Sequence, residues 1–360
     1  MLNYQTSEPI GHSFYKGKRV RVMGLVLAGL IILGGGYLAW RLAGLDKQII
    51  ISPEAPWVFM EKPLEKYSFP KLREQVFLAD GIWVEGSPSA GEAGKFYYWV
   101  DPASAGQASK KVSGQINQPA GSEPAGGWPV VIMIRGYVDR EIYQSGIGTQ
   151  HAAEYFADNG FITLAPDFFG YGESDMPPNN SLEERFLCPI EVLQLIASVK
   201  NLPQANPDKI SIWGHSNGGQ IALSVLEISG KNYPTSLWAP VSKPFPYSIL
   251  YYTDEYDDYG KALRQLVAGF DTQYEANEFS IHNYYDWIEA PIQIHQGTAD
   301  DAVPLKWSED LEKTLKEKGK TVKLYVYPGA DHNLAGPPEA GKDNSWNLAV
   351  QRSLEWFTRN

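Results

Sequence analysis

Cysteine is nearly absent from this chain. Cys188 is the only one in 360 residues, which excludes an intrachain disulfide and a cysteine-based metal site and leaves the redox compartment unreadable from thiols. Positive charge is in deficit as well. Lys and Arg number 31 against 42 Asp and Glu, for a net charge of -11, whereas a surface that neutralises phosphates needs a basic patch. The only dense basic stretch, Lys16, Lys18, Arg19 and Arg21, falls at the extreme N-terminus, so no nucleic-acid partner is expected. Internal repeats are missing too. About eighty residues precede the part that carries the chemistry, too few for a β-propeller of four to eight blades at about 40 residues each. With 43% hydrophobic and 20% charged residues, wholesale disorder is excluded.

One long apolar run is present. Val22 to Trp40 reads VMGLVLAGLIILGGGYLAW without a charge. As a helix such a stretch rises about 30 Å, the thickness of a bilayer's hydrocarbon core. Residues 22–40 are therefore expected to cross a membrane. The basic residues ahead of them make 1–21 a cytoplasmic tail and put everything after Arg41 outside the cytoplasm. A cleaved signal peptide would have an apolar core of about 7 to 15 residues and a small-x-small site behind it. Here Trp40-Arg41 follows a longer core, so an uncleaved anchor in the cell membrane is the expectation.

Residues 41–65, with Pro53, Pro56 and Pro63, read as a stalk. From 66 to 125 the runs Gln75–Leu78, Ile82–Glu85, Phe96–Val100 and Val112–Asn117 read as antiparallel strands, and Gln118–Trp128 as an exposed turn or linker. After Pro129 apolar strands alternate with helices, the pattern of a mainly parallel sheet covered on both faces. The strands are Val130–Ile134, Phe161–Pro166, Ile210–Trp213, Ser236–Trp238, Ile292–His295 and Lys323–Tyr327. Helices are expected near 149–159, 183–200, 217–229, 305–319 and 344–358. An aromatic and acidic stretch at 241–288 interrupts the alternation and reads as a cap insertion in one domain spanning 66–360.

Gly214-His215-Ser216-Asn217-Gly218 follows a strand and opens a helix, the setting in which G-x-S-x-G acts as a nucleophile elbow. The turn is tight enough to exclude flanking side chains, and the helix N-terminus favours a developing anion. A hydroxyl is a poor nucleophile at neutral pH, so a base must take its proton and an acid must orient the base. Asp300 follows the strand ending at His295, and His332 follows the strand ending at Tyr327, which completes the order Ser, Asp, His. Asp301 is the rival acid and reads as a solvated charge. None of the other five histidines lies after the acid. Oxyanion donors are expected from the Asn217 N–H and from Tyr137, through its N–H or its hydroxyl. In the cap, Asp254, Glu255, Asp257 and Asp258, with Tyr256 among them, belong either to a solvated acidic loop or to a pocket that pairs a substrate's free amine.

The stretches VVIMIRGY at 130–137, GFITLAPDFFGYGES at 160–174, ISIWGHSNGG at 210–219, HQGTADDAVP at 295–304 and YPGADH at 327–332 resemble the catalytic domain of the prolyl oligopeptidase family of serine peptidases. The resemblance covers about 126 to 360. It implies the α/β-hydrolase fold, Ser216 as nucleophile, Asp300 as acid, His332 as base, and Tyr137 where some members place an oxyanion-stabilising tyrosine. Two departures stand out: Arg135-Gly136 replaces the His-Gly of many relatives, and no propeller is present. Short members without propellers include esterases as well as peptidases. The expectation is a membrane-anchored serine peptidase acting on peptides, or a carboxylesterase-type hydrolase acting on small esters, with neither metal nor organic cofactor. A non-catalytic binding protein is disfavoured by the intact Ser216, Asp300 and His332.

Overall fold

The computed structural model of the chain describes residues 61–78, 81–86, 93–102, 109–253, 257–336 and 344–360. The expected transmembrane span at 22–40, its cytoplasmic tail and most of the stalk lie outside them, and so do Asp254, Glu255 and Tyr256. Among the described residues no helix is long and apolar enough to cross a membrane.

Residues 62–360 form one compact unit, which begins a little before the expected domain start at 66. In chain order it contains α1 (Phe69–Arg73), β1 (Ile82–Val84), β2 (Ala93–Val100), β3 (Lys110–Asn117) and β4 (Trp128–Ile134). Then come α2 (Gln150–Asp158), β5 (Ile162–Pro166), α3 (Ser181–Ser198), β6 (Ala205–His215), α4 (Asn217–Ser229) and β7 (Thr235–Trp238). The remainder is α5 (Tyr247–Leu250), α6 (Lys261–Asp271), β8 (Ile292–Gly297), α7 (Leu305–Glu317), β9 (Val322–Tyr327) and α8 (Ser345–Arg359). The strands make one sheet of order β1-β2-β3-β5-β4-β6-β7-β8-β9. Pairing is antiparallel from β1 to β5 and parallel from β5 through β9. The mainly parallel sheet is the one the strand and helix pattern implied, and the architecture is the α/β-hydrolase fold that the resemblance implied.

Alternating side chains of the central strands serve two cores, because successive residues of a strand face opposite sides. Val130, Ile132 and Ile134 of β4 join Leu187 and Leu195 of α3 and Leu226 of α4. Val131 and Met133 point the other way, to Phe156 of α2 and Phe357 of α8. Both sets are fully buried, so these strands read as continuous apolar runs rather than alternating ones. Two helix starts carry side-chain caps. Asn180 accepts from the Leu182 and Glu183 N–H groups at α3, and Asn344 accepts from Asn347 N–H at α8.

Two readings of the N-terminal region are corrected. Gln75–Leu78 is not a strand, since β1 is already the sheet edge and the run has no neighbour to pair with; Val76 and Leu78 stand exposed. The preceding α1 was not anticipated. It begins with Pro70 in its first turn and buries Phe69 and Leu72, too short a pattern to register as a helical period. Among the described residues the cap at 241–288 is built of α5, α6 and three 3-10 turns. It packs through Phe245, Phe270 and Phe279 on Phe186 of α3, with ring centroids 4.8 to 5.8 Å apart.

Candidate active site

Ser216 sits between β6 and α4 at φ 56° and ψ -122°. A side chain held in that region costs about 1–3 kcal/mol and persists only where the surroundings over-determine it. Here three bonds do so. Ser216 N–H donates to Trp238 O at 2.9 Å, and Ser216 O accepts from Gly219 N–H at 2.9 Å and Val241 N–H at 3.0 Å. Gly218 is required by close approach: a Cβ there would lie 2.1 Å from Ile134 O and 2.5 Å from Arg135 O. The helix therefore starts directly against the carboxyl end of β4. That contact delivers the Arg135-Gly136-Tyr137 loop to the serine, and a Cβ on Gly136 would stand 2.9 Å from Ser216 Cβ. Asn217 contributes the first N–H of α4, one of the helix-start donors with no intrahelical partner.

Arg135 is a structural clamp on this loop. It is buried, with Nη1 donating to Gly136 O and Nη2 to Asp167 O, both at 2.9 Å. Its guanidinium lies over Tyr171 and Tyr143, at 4.1 and 4.5 Å from the ring centroids. In a trans peptide the C=O and N–H point in opposite directions, so holding the Gly136 carbonyl also fixes the direction of the Tyr137 N–H. Asp167, fully buried beneath, accepts from the hydroxyls of Tyr143 at 2.6 Å, Ser113 at 2.6 Å and Ser145 at 2.7 Å. The Tyr137 side chain is 71% exposed, and its hydroxyl donates to Asp139 Oδ1 at 2.7 Å.

The loops after β8 and β9 are stitched together. Thr298 N–H donates to Tyr327 O at 3.0 Å, Ala299 N–H to Ala330 O at 2.9 Å, and Gly329 N–H to Thr298 Oγ1 at 2.8 Å. Gly297 permits this, since a Cβ there would fall 2.2 Å from Ala330 O. The stitching brings His332 Nδ1 to 2.9 and 3.0 Å from the two oxygens of Asp300. The Asp300 side chain is 0% exposed and the His332 ring 19%. Asp300 also accepts from Gln296 Nε2 at 2.7 Å, Val303 N–H at 2.8 Å and Ala302 N–H at 3.0 Å. Burial opposes its ionisation, but the His332 ring, the Val303 N–H and the Gln296 amide outweigh that and hold the carboxyl below its usual range. Asp301 is exposed to solvent.

His215 ties the imidazole to the elbow. Its ring lies 4.7 Å from the His332 ring, and its Nε2 is 3.0 Å from His332 O. A carbonyl only accepts, so Nε2 carries the proton. Burial, followed by the neighbouring His332, pushes His215 down to about 4, which keeps it neutral at physiological pH. The structure thus brings Asp300 and His332 into direct contact and sets His332 against the residue preceding Ser216. His295 is fully buried and bonded to the Tyr327 hydroxyl at 2.7 Å, His151 is exposed on α2, and His282 lies in the cap. Asp258, one of the cap carboxylates expected to face a substrate amine, instead accepts from Gly260 and Ala262 N–H at 2.8 Å and so caps α6.

Three contributors escaped the sequence reading: Arg135, His215 and Gln296. Gln296 had a signal, a polar residue inside the fully buried strand β8 four positions before Asp300; its Oε1 is held in turn by the Ser308 hydroxyl at 2.7 Å. Among the described residues no group of three or more His, Cys, Asp or Glu is placed to hold a metal ion.

A family model of the prolyl oligopeptidase family matches residues 148–360. Over 209 residues the chain is 25% identical to an uncharacterized peptidase of Bacillus subtilis (strain 168), covering 57% of this chain and 74% of that one. Over 244 residues it is 22% identical to a putative carboxymethylenebutenolidase of Synechocystis sp., covering 62% and 81%. A putative dipeptidyl aminopeptidase IV from Bacteroides ovatus superposes with a TM-score of 0.55 at 18% identity, over 74% of this chain and 36% of its own. Acetyl xylan esterase 1 from Thermoanaerobacterium sp. does so with a TM-score of 0.55 at 17% identity, over 82% and 94%. At these identities the two structures establish the fold, and the chain spans little more than a third of the dipeptidyl aminopeptidase. The fold, the elbow and the family match agree: this chain belongs to the prolyl oligopeptidase family and is a serine hydrolase.

Proposed function

We propose that the protein is a membrane-anchored serine peptidase that cleaves peptide bonds through an acyl-enzyme on Ser216. The observation that carries this reading is the buried Asp300–His332 pair set beside a strained serine turn. In this reading Ser216 Oγ attacks the substrate carbonyl and passes its proton to His332 Nε2. Asp300 keeps the Nδ1–H tautomer and stabilises the imidazolium. The Asn217 and Tyr137 N–H groups bind the oxyanion, the second aimed by the Arg135 clamp. His332 then protonates the leaving amine, and water releases the acyl group by the same steps in reverse roles. The apolar run at 22–40 supports a single-pass anchor with the hydrolase domain outside the cytoplasm.

A second reading is an esterase with the same machinery. It is favoured by the relative named as a carboxymethylenebutenolidase and by the small cavities beside Asn217, about 80 and about 140 Å³, which suit short acyl groups. Peptide anilides and 4-nitrophenyl esters sharing one acyl group separate the two. Anilide cleavage that disappears in Ser216→Ala supports the peptidase, and turnover of esters alone makes the enzyme an esterase. For the anchor, protease added to wall-stripped cells should cut the 41–65 segment and spare the first fifteen residues; a protected segment would reverse the orientation.

A further inference from the structure

The two cavities beside Asn217 share three further lining residues, one of them charged. Both are lined by Arg185, Cys188, Asn217 and Ile221. Arg185 projects from the first turns of α3, half-buried, and makes no hydrogen bond or ion pair among the described residues. Among the described residues no neighbour compensates the charge. Glu184 is paired with Arg140, and Glu191 is buried with one oxygen on Phe169 N–H at 2.8 Å. Burial pushes Glu191 up to about 8, so it is mostly neutral at pH 7, and burial likewise raises the Cys188 thiol, which stays protonated. The smaller cavity is walled by aromatic and aliphatic side chains such as Phe186, Phe245 and Phe279, and Arg185 is the one charged residue among those lining it. A half-desolvated guanidinium without a partner, in an apolar cavity, is suited to a bidentate carboxylate.

We infer that Arg185 is a specificity-determining residue: the enzyme favours substrates in which a carboxylate lies a few methylenes from the scissile carbonyl, held by Arg185 while that carbonyl sits at Ser216 and Asn217. This rests on the Ser216 chemistry proposed above. The carboxylate belongs either to the acyl part or to the leaving group, and both arrangements place it in the space shared by Asn217 and Arg185.

Matched esters read the two positions separately. The acyl arm compares 4-nitrophenyl hemiglutarate with 4-nitrophenyl pentanoate; the leaving-group arm compares butyryl esters of 4-hydroxy-3-nitrobenzoic acid and of its methyl ester. One arm should show kcat/KM at least about tenfold higher for the acid, a charge-assisted hydrogen bond's worth of discrimination. Arg185→Gln should bring that ratio to near one, and Arg185→Lys should keep part of it. Binding is measured apart from turnover on the full chain carrying Ser216→Ala, where hexanoate should bind about tenfold more tightly than hexanamide. Equal binding of hexanoate and hexanamide, or an acid preference that survives Arg185→Gln, overturns the inference. Failure of every ester with the binding preference intact would instead count against the hydrolytic reading.

Discussion

Asp300→Asn tests the part of the site whose geometry is most complete. The carboxylate receives four donors: the Gln296 amide at 2.7 Å, Val303 N–H at 2.8 Å, Ala302 N–H at 3.0 Å and the His332 ring at 2.9 Å. An amide offers one acceptor oxygen and an NH₂, so one face of Asn must oppose a donor. If its oxygen keeps the backbone pair, the NH₂ meets Gln296, which cannot flip without breaking its bond from Ser308. Facing His332, the same NH₂ donates to Nδ1 and drives the ring proton to Nε2, where it can no longer accept from Ser216. The kinetic loss expected from the wrong tautomer is about 10⁴-fold in kcat, or about 5.5 kcal/mol. The buried donor clash should cost a further ~1–3 kcal/mol of stability. Turnover of a 4-nitrophenyl ester together with thermal unfolding measures both, and the exposed Asp301→Asn serves as comparison with rates near wild type. An Asp300→Asn enzyme within tenfold of wild type, or a larger loss at Asp301, would refute the reasoning.

Two further predictions use neighbouring groups. Tyr137→Phe should change kcat by less than about threefold, because the hydroxyl is bound to Asp139 and the backbone N–H is retained; losing a true oxyanion donor costs about 10²–10³-fold, and a drop of that size would put the phenol in the oxyanion hole. Glu191, raised by burial from an ordinary 4.5 to about 8, binds its proton more tightly in the folded chain than in the unfolded one. The stability it contributes is complete below 4.5 and declines as pH rises toward 8, at about 1.4 kcal/mol per pH unit. Glu191→Gln should therefore gain on wild type in denaturant titrations between pH 5 and pH 8, and parallel curves would contradict the assignment.

Much of the fold was legible because the central strands are buried on both faces and announce themselves as apolar runs. Ser216, Asp300 and His332 were visible as residues following the carboxyl ends of three strands. The contacts that support them were not. Arg135 reaches Asp167 across thirty-two positions and His215 meets His332 across 117, pairings that the topology of the sheet creates and local pattern does not encode. Short elements failed for a different reason: α1 and α5 hold too few turns to show a period, and Gln75–Leu78 has strand-like residues but no strand beside it. Arg185 carries no signal in the local sequence, since its lack of a partner among the described residues is a property of the packed site.

The nucleophile is the claim on which the rest depends, and a fluorophosphonate reports it directly. After reaction of the full chain, peptide mapping by mass spectrometry should find a single adduct on Ser216, and Ser216→Ala should take up no label. An adduct on another residue, or labelling that persists in Ser216→Ala, would contradict the assignment.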